Sequence, residues 1–523
     1  MAKNHTASMK RSEHGVNKET HMHLISKSQF LNYLTCPKDA WFRMHKPELE
    51  EFKISQTLQN IFDQGYEAEE YAKHLKVFSG FVEVTAKGSD TQKEVDSLIA
   101  KKVPAIYQPT FIADGFIIRC DMLVWNAETS QWDLYEIKSS SKRHDTGDRD
   151  HLSDAAFQAI VLERYGVPLG RTFIVHLNSE YVRSGELDIE ALFVRNDSTA
   201  KVGARRVTVV AEMEEAREYL NQETEPTDGC DCLYYGRSSH CETFAISHPH
   251  VPEYSVHDIS YIGKSPNKLR KLIEQNIYHL HDIEDTSDLT DRQQNQIETH
   301  KTKAEIVVKT EIENVLRGYA YPLYFLDYET FAPAVPVYDG YSPYQRMPIQ
   351  FSLHYIEKEG GPLLHVDYVH LENSDPSEAV AKKLIEAIDS KGTVLAWNVG
   401  FERSVTNELA ERLPVHANAL RRICDQMQDL MDIFTKQHYV HRGFRGSAAI
   451  ESVMNVLLPD MSYDHLPYTG QDVGFVWWKD IISKHSVDRT ERIRLITEYC
   501  KQDTLVMVEI WRILKAIVGQ NHS

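Results

Sequence analysis

Two acidic residues, with one residue between them, stand at the end of a strand-like, largely apolar stretch of this sequence. In YPLYFLDYETF, Asp327 and Glu329 close a largely apolar run. Because side chains alternate faces along a strand, both carboxylates point one way while Leu326 and Tyr328 point into a core. In a chain with 77 acidic residues such a pair also arises by chance. The pair therefore needs partners before it predicts any chemistry.

Three later residues supply those partners. Glu402 follows the strand-like LAWN, and Tyr499 and Asp503 lie four apart in EYCKQD, on one face of a predicted helix. Four carboxylates that converge on one point would repel one another unless cations balanced them. Mg²⁺ and Mn²⁺ prefer such oxygen ligands, and two ions roughly 4 Å apart can activate water and stabilise a leaving phosphate oxygen. The pattern predicts metal-dependent phosphodiester hydrolysis.

The three motifs D-x-E, N-x-x-F-E and Y-x-x-x-D resemble the DEDD exonucleases of the RNase H-like fold, the DnaQ-type proofreading nucleases, in their tyrosine subtype. The resemblance covers about residues 319–523 and implies hydrolysis of single-stranded nucleic acid from a 3′ end. It implies that Tyr499 orients the attacking water. Glu402 departs from the family, which mostly has Asp there, and its extra methylene moves the carboxylate by about 1 Å. By the same resemblance the metal ligands are Asp327, Glu329, Glu402 and Asp503.

A second polar group lies in the first half of the chain. GFIIRCDMLVWN and QWDLYEIKSS are predicted as two strands of a hairpin, with Asp121 on the first. Glu136 and Lys138 share a face of the second strand, where Asp121 can meet them across the ladder. The two acids can hold a divalent ion while the lysine positions water. Gln158, four residues after Asp154 on a predicted helix over 154–166, could bind the lysine or the water.

This order of Asp, E-x-K and a helical Gln resembles the PD-(D/E)XK nuclease fold in its RecB-like branch. The Cys-Pro helix in FLNYLTCPKDAWF strengthens the resemblance, because that branch often begins with such a helix. By the resemblance, Asp121, Glu136, Lys138 and Gln158 are catalytic, and the two acids bind the metal. Glu67 or Glu69 could add a ligand, although a solvated helix face is the simpler interpretation.

Seven cysteines, an odd number, argue against a disulfide framework in a chain whose start does not look like a signal peptide. Three of them fall within CDCLYYGRSSHC. In iron–sulfur members of the RecB-like branch, one early and three late cysteines hold a four-iron cluster. The C-x-C-x8-C spacing differs from the usual one, so zinc or no metal remain alternatives. Cys120, Cys424 and Cys500 are predicted as core residues. The implied 4Fe–4S ligands are Cys36, Cys230, Cys232 and Cys241.

Composition limits the class of protein. The chain has 523 residues, 42% of them hydrophobic, which is enough for two or three domains. A net charge of −19 argues against a general nucleic-acid coat but permits an enzyme with a local basic groove. The polar start and the lack of a long apolar run predict a cytoplasmic protein without a membrane partner.

The predicted fold class is α/β. IGKS at 262–265 lacks the glycine that a phosphate loop needs, because position 258 is Asp. That segment is interpreted as a helical linker, with a helix-hairpin-helix-like turn on a DNA backbone as the alternative. The predicted parts are a polar tail (1–22), a PD-(D/E)XK restriction-endonuclease-like domain of the RecB branch (23–245), a helical connector (246–318) and an RNase H-like domain with a mixed central sheet (319–523).

Together the two acidic groups predict a metal-dependent nuclease with two hydrolytic domains, acting in DNA repair, processing or defence. Single-stranded DNA is favoured over RNA as the partner, and both remain open. The alternative is a nucleic-acid-binding scaffold in which one of the two nuclease domains has lost catalysis.

Overall fold

The computed structural model describes residues 23–147, 150–483 and 488–519, and the predicted tail over 1–22 lies outside them. The protein is a mixed α/β structure, as the sequence predicts. The helices are α1 (Lys27–Thr35), α2 (Pro37–His45), α3 (Gln56–Ala72), α4 (Ser89–Lys101), α5 (His151–Tyr165), α6 (Ile189–Leu192), α7 (Thr199–Leu220), α8 (Phe244–Ser247), α9 (Pro266–Glu274), α10 (Asp291–Thr302), α11 (Lys309–Arg317), α12 (Ser377–Ala387), α13 (Gly400–Arg412), α14 (Ala417–Gln426), α15 (Asp432–Thr435), α16 (Ile450–Leu457), α17 (Gly470–Val476) and α18 (Arg489–Gly519). The strands are β1 (Ile25–Ser26), β2 (Phe81–Glu83), β3 (Ala105–Tyr107), β4 (Thr110–Ala113), β5 (Phe116–Arg119), β6 (Met122–Asn126), β7 (Gln131–Lys138), β8 (Leu169–Leu177), β9 (Phe193–Asp197), β10 (Ile306–Val307), β11 (Leu323–Phe331), β12 (Met347–Ile356), β13 (Leu364–Val369), β14 (Thr393–Ala396), β15 (Met427–Asp429) and β16 (Tyr439–Val440).

The first half is built on a six-stranded sheet in the order β2-β3-β6-β7-β8-β9. The hairpin predicted for β6 and β7 is present, and β8 returns parallel to β7 because α5 forms the crossover between them. The strand predicted over 115–126 is wrong in one respect, since the chain divides it into β5 and β6. These strands join different sheets, and Asp121 lies in the break between them instead of in a strand.

The helix predicted from SKSQFLNYLTCPKDAWFRM is two helices that meet at Cys36. Pro37 is the first residue of α2, and the residue before a proline is disfavoured in the helical region, so Cys36 is extended at φ −154°. Ser26 caps α1 as predicted, because its hydroxyl accepts from the Gln29 N–H at 3.3 Å. The break turns the Cys36 thiol toward the segment that carries the other clustered cysteines.

The predicted connector packs more closely than a solvent-facing linker would. Gln293 and Gln296 on α10 are buried, and Gln296 Oε1 accepts from the Ser260 N–H at 2.8 Å. Strand β10 pairs antiparallel with β16, and Ile312 of α11 is buried in the core beneath α18. The segment is therefore fastened to the second half of the chain.

The second half is built on a five-stranded sheet in the order β13-β12-β11-β14-β15. Strand β12 runs opposite to β11, while β14 and β15 run parallel to it. One face of β11 buries Leu326 and Tyr328 against α12, α13 and α14, whereas Phe325 packs on Trp511 of α18. Strand β11 is thus central. Its carboxyl end lies between helices α12, α13 and α14 on one face of the sheet and α18 on the other.

The loop after β11 joins the two halves of the molecule. Ala334 and Val335 are buried in the core of the first half. Arg183 Nη1 donates to the Pro336 carbonyl at 2.9 Å, and the Tyr344 hydroxyl donates to the Ser139 carbonyl at 2.8 Å. Among the described residues, each helix is too short or too polar to cross a bilayer.

Candidate functional site

The first candidate site forms at the end of β11. Asp327 and Glu329 lie on one face, opposite Ser352 and Gln350 of β12, while the alternate side chains fill the core as predicted. The strand register shifts directly after Glu329, and such a bulge re-aims the side chains beside it. Glu329 is buried and Asp327 is half-buried. The local strand therefore presents two carboxylates to one small space.

Cys500 completes a tight group with these acids. One ligand atom from each of Asp327, Glu329 and Cys500 lies within 4.8 Å of the other two. The Cys500 thiol lies 3.2 Å from Asp327 Oδ2 and donates to it. The prediction of Cys500 as a core residue holds, since it is fully buried, but it missed this contact. The spacing contained a signal, because Cys500 precedes Asp503 by three residues on one helix face.

The remaining predicted acids approach from two helices. Glu402 lies in the first turn of α13, is 3% exposed, and its Oε2 has no hydrogen-bond partner among the described residues. Asp503 of α18 accepts a hydrogen bond from the Tyr463 hydroxyl. Sequence reasoning missed Tyr463, which lies 40 residues from Asp503 in a segment without a motif.

Burial governs the charge of this group. Desolvation raises the pKa of Asp327 to about 8, and the nearby Glu402 charge adds to the shift. Desolvation also raises the pKa of Glu402 to about 8 and lifts those of Glu329 and Asp503 well above their usual range. Without cations the group retains protons near neutral pH. Hard divalent ions suit this all-carboxylate donor set and would favour its ionised form.

Tyr499 borders a cleft of about 460 Å³ whose lining includes Asp327, Glu329 and Asp503 but not Glu402. Burial, together with the charges of Asp503 and Glu329, raises its pKa, so the phenol stays protonated. Gly470 permits a close approach, because a Cβ there would lie 3.3 Å from the Tyr499 hydroxyl. The other walls of the cleft include Arg346, Phe401 and Phe475.

The segment CDQMQDLMDIF, over residues 424–434, contains a further acid whose charge acts on Glu402. Helix α14 ends at Gln426, and Asp429 closes strand β15. Its carboxylate accepts from the backbone N–H groups of Asn398 and Val399 at 3.1 Å each. Asp429 therefore fixes the turn that leads into α13 and so positions Glu402.

The second candidate site lies at the end of β7. Glu136 is 1% exposed, and its Oε1 accepts from Lys138 and Lys27 at 2.7 Å each. Its Oε2 accepts from Gln158 Nε2 at 2.5 Å, and Lys138 also pairs with Asp154. Burial disfavours ionisation of Glu136, but the two ammonium groups outweigh it and lower its pKa. Sequence reasoning missed Lys27, which only the fold brings here.

Asp121 approaches this group from the break before β6. Its Oδ2 accepts from the Ile137 N–H at 2.6 Å, so it lies beside the E-x-K strand although it is outside β6. Burial and the Glu136 charge raise its pKa well above the usual range. Glu69 accepts a hydrogen bond from the Tyr107 hydroxyl and adds a further negative charge near Asp121. The Glu67 carboxylate lies near the Lys479 ammonium instead.

The four predicted cysteines meet in one place. A thiol sulfur from each lies within 4.8 Å of the other three, and Cys230 and Cys241 are 3.8 Å apart. The His248 ring nitrogen Nε2 lies 3.2 Å from the Cys230 sulfur. Hydrogen bonds from Cys232 and the other thiols lower the pKa of Cys230, which favours its thiolate. Four thiols from two chain segments form a soft metal-binding donor set.

Four thiols can bind either candidate metal, but their spacing matches a single zinc ion better than a four-iron cluster. Four thiolates can bind one tetrahedral zinc ion, and with Zn–S bonds of about 2.3 Å the sulfurs would stand roughly 3.8 Å apart. The separation of Cys230 and Cys241 matches that edge. A four-iron cluster also takes four cysteine thiolates but holds them farther apart, so the thiols would have to spread.

Comparison with protein families places one segment of the chain. A family described as a domain of unknown function (DUF2779) matches residues 324–449. This segment begins in β11 and contains Asp327, Glu329 and Glu402, and it ends before Tyr499 and Asp503. A comparison with curated proteins finds no match.

Proposed function

We propose that this protein is a metal-dependent nuclease that hydrolyses phosphodiesters of single-stranded nucleic acid, DNA ahead of RNA. Its second half acts as a DEDD exonuclease of the RNase H-like fold, from a 3′ end. Its first half is a RecB-like PD-(D/E)XK domain. The observation that carries the proposal is the pair of carboxylates, Asp327 and Glu329, held together at the end of β11. The charges of Glu402 and Asp503, on neighbouring helices, act on this pair.

The sheet of the second half supports this assignment. Its order and its single reversed strand give a mixed central sheet, as the resemblance to RNase H-like domains implies. Asp327 and Glu329 come from the central strand, Glu402 from the first turn of α13, and Asp503 from α18. A strand, a helix start and a late helix are the elements on which the sequence motifs were expected.

The chemistry of this site follows from its donors. Asp327, Glu329, Glu402 and Asp503 would hold divalent cations, which supply charge for the leaving oxygen and lower the pKa of water. Tyr499 remains a protonated phenol beside them and is a donor that can orient the attacking water. Phe401 and Phe475 of the cleft provide apolar faces for a strand end, and Arg346, which pairs with Glu408, provides a guanidinium beside them.

The cysteine centre is proposed to hold a 4Fe–4S cluster that staples the ends of the RecB-like domain. Cys36 comes from the junction of α1 and α2, and the other three ligands come from residues 230–241. A single zinc ion is the second candidate, favoured by the 3.8 Å separation of Cys230 and Cys241. Iron and acid-labile sulfide analysis of anaerobically purified protein distinguishes the two.

A specific observation favours a second candidate function for the first half. Both Glu136 oxygens already accept hydrogen bonds from lysine and glutamine, and Asp121 accepts from a backbone N–H. A metal would have to displace some of these donors. The alternative is therefore a nucleic-acid grip in the first half, with hydrolysis confined to the second.

Single-stranded DNA and RNA labelled at either end test the assignment in Mg²⁺ or Mn²⁺. Asp327→Ala and Asp503→Ala should abolish nucleotide release from the 3′ end. Glu136→Ala and Asp121→Ala should abolish a separate activity if the first half is catalytic, and should leave all cleavage unchanged if it is a grip. Degradation that neither pair of changes affects would refute the nuclease assignment.

A further inference from the structure

A large groove, about 1420 Å³, lies beside the cysteine centre, and its lining includes no member of either carboxylate group. One wall is the end of α1 with Cys36, and the other is formed by residues 234–241 and 257–266. We call it the tyrosine groove, after Tyr235 and Tyr261 in its second wall. The IGKS segment, which the sequence left as a linker or a backbone-contacting turn, lines it.

The tyrosine groove exposes two aromatic rings. Tyr235 is 47% and Tyr261 61% exposed. The Lys264 ammonium lies 4.7 Å and the Arg292 guanidinium 5.4 Å from the centre of the Tyr261 ring. Exposed rings flanked by cations are the surface on which unpaired bases stack, because every base has a π face and every nucleotide a phosphate.

The local charge is positive although the chain is acidic overall. Asp258 in the groove wall pairs with Arg237 at 2.7 Å, and Asp150 pairs with Arg205. Lys264 is exposed and, among the described residues, has no ion-pair partner. Its charge is therefore free for a phosphate, whereas the nearby acids are already neutralised.

The two segments of the second wall, residues 234–241 and 257–266, are in direct contact. A Cβ added to Gly236 would lie 3.1 Å from the Gly263 Cα, so the cysteine segment and the IGKS turn touch through their backbones. Tyr261 adopts a left-handed conformation at φ 58° just before this turn. The contact holds both tyrosines and Lys264 in one fixed surface.

Helix α1 connects the tyrosine groove to the first-half site. Lys27 at its start binds Glu136, while Leu31, Leu34 and Thr35 line the groove. At 1.5 Å per residue, about 12 Å of helix separates Lys27 from Thr35. The groove and the first-half site therefore lie at opposite ends of one short helix.

We propose that the tyrosine groove binds the single strand next to the first-half site, with bases stacked on Tyr261 and Tyr235 and a phosphate at Lys264. The inference rests on the proposed nucleic-acid function and names the surface that would bind the strand. It holds whether the first half cleaves the strand or only grips it.

Fluorescence anisotropy with labelled single strands of about 16 and about 4 nucleotides tests the groove, without added divalent cations so that nothing is cleaved. Tyr261→Ala should weaken binding of the longer strand about tenfold, and Tyr261→Phe should restore it. Lys264→Ala should lower the salt dependence of log Kd by about 0.7, and Lys264→Arg should not. Lys391→Ala, an exposed lysine of the second half, is the matched control.

The outcomes separate this inference from the proposed function. If wild type binds and cleaves the longer strand while Tyr261→Ala and Lys264→Ala bind it equally well, the groove inference is wrong and the nuclease proposal stands. That result would leave a protein segment as the occupant of the groove. If wild type neither binds nor cleaves either strand, both proposals are wrong. Unchanged melting temperatures exclude misfolding of the variants.

Discussion

At the scale of single residues, the proposed metal site of the second half depends most on Glu402. It is almost fully buried, its Oε2 has no partner among the described residues, and its charge helps to raise the pKa of Asp327. Burying a carboxylate without a partner is costly unless it stays protonated or meets a cation. The Glu402 charge acts on Asp327, so the two carboxylates lie close enough to interact.

Glu402→Gln tests that role because it keeps the size and removes the charge. We expect weaker Mn²⁺ binding and at least about a 100-fold loss of 3′ nucleotide release. Removing a residue that only supports a metal ligand already costs up to about 100-fold, and removing the ligand itself should cost no less. Metal-free stability should not fall. Glu411→Gln, an exposed position on the same helix, is the control. Equal rates for both variants would contradict the ligand role.

The pH dependence of stability follows from Asp327. Its pKa is about 8 in the folded, metal-free protein and about 3.9 in an unfolded chain. Between these values the folded state binds more protons, so this group's contribution to stability falls as pH rises from about 4 to about 8. Melting temperatures of metal-free protein should show this slope, and Asp327→Asn or saturating Mn²⁺ should reduce it. An identical slope in Asp327→Asn would be contrary evidence.

At the scale of elements, the close packing of α17 on β11 sets the shape of the cleft. A Cβ at Gly474 would lie 2.4 Å from the Thr330 carbonyl, at the bulge beside Glu329. Only glycine lets the helix approach the strand this closely. The helix in turn brings Gly470 and Phe475 to the cleft.

Gly474→Ala should therefore destabilise the protein by about 1–3 kcal/mol and reduce activity of the second-half site. Gly203→Ala is the matched control, since it is also a helical glycine but has nothing within 4 Å of the added Cβ. That change should stabilise by roughly 0.5–1 kcal/mol through helix propensity. Denaturant melts of both variants check the prediction, and equal effects would contradict it.

Elements with a strong local pattern could be predicted from the sequence. The apolar run and its alternation placed β11, and Gly166 marked the end of α5. The break at Asp121 could not be predicted, because residues 115–126 are uniformly apolar enough for one strand. Lys27 and Tyr463 were missed since each meets its acid only through long-range packing. Site residues that belong to short sequence motifs could therefore be predicted. Residues that meet the site only through long-range packing could not.

At the scale of the whole molecule, the loop after β11 links both candidate sites. It begins beside Glu329, buries Val335 in the core of the first half, and reaches Ser139, next to Lys138, through Tyr344. Helix α3 adds a second link, because Thr57 and Asn60 bind Asp472 of α17. The two halves therefore share buried contacts.

Val335→Asp should disrupt the packing of this loop on the first half, because it buries an unpaired charge at a cost of about 3 kcal/mol. We expect wild type to melt in one transition and the variant to melt earlier or in two. Val415→Asp, at a position 92% exposed, should change stability by less than about 0.5 kcal/mol. A variant that melts like wild type would show that the halves are not coupled through this loop.

The most direct test of the central claim is the single-turnover rate of mononucleotide release from a 3′-labelled single strand in Mn²⁺. Wild type should release nucleotides, and the double variant Asp327→Asn, Asp503→Asn should do so at least about 1000-fold more slowly while keeping its melting temperature. Equal rates for the two proteins, or no release by correctly folded wild type, would contradict a carboxylate-bound metal nuclease at the end of β11.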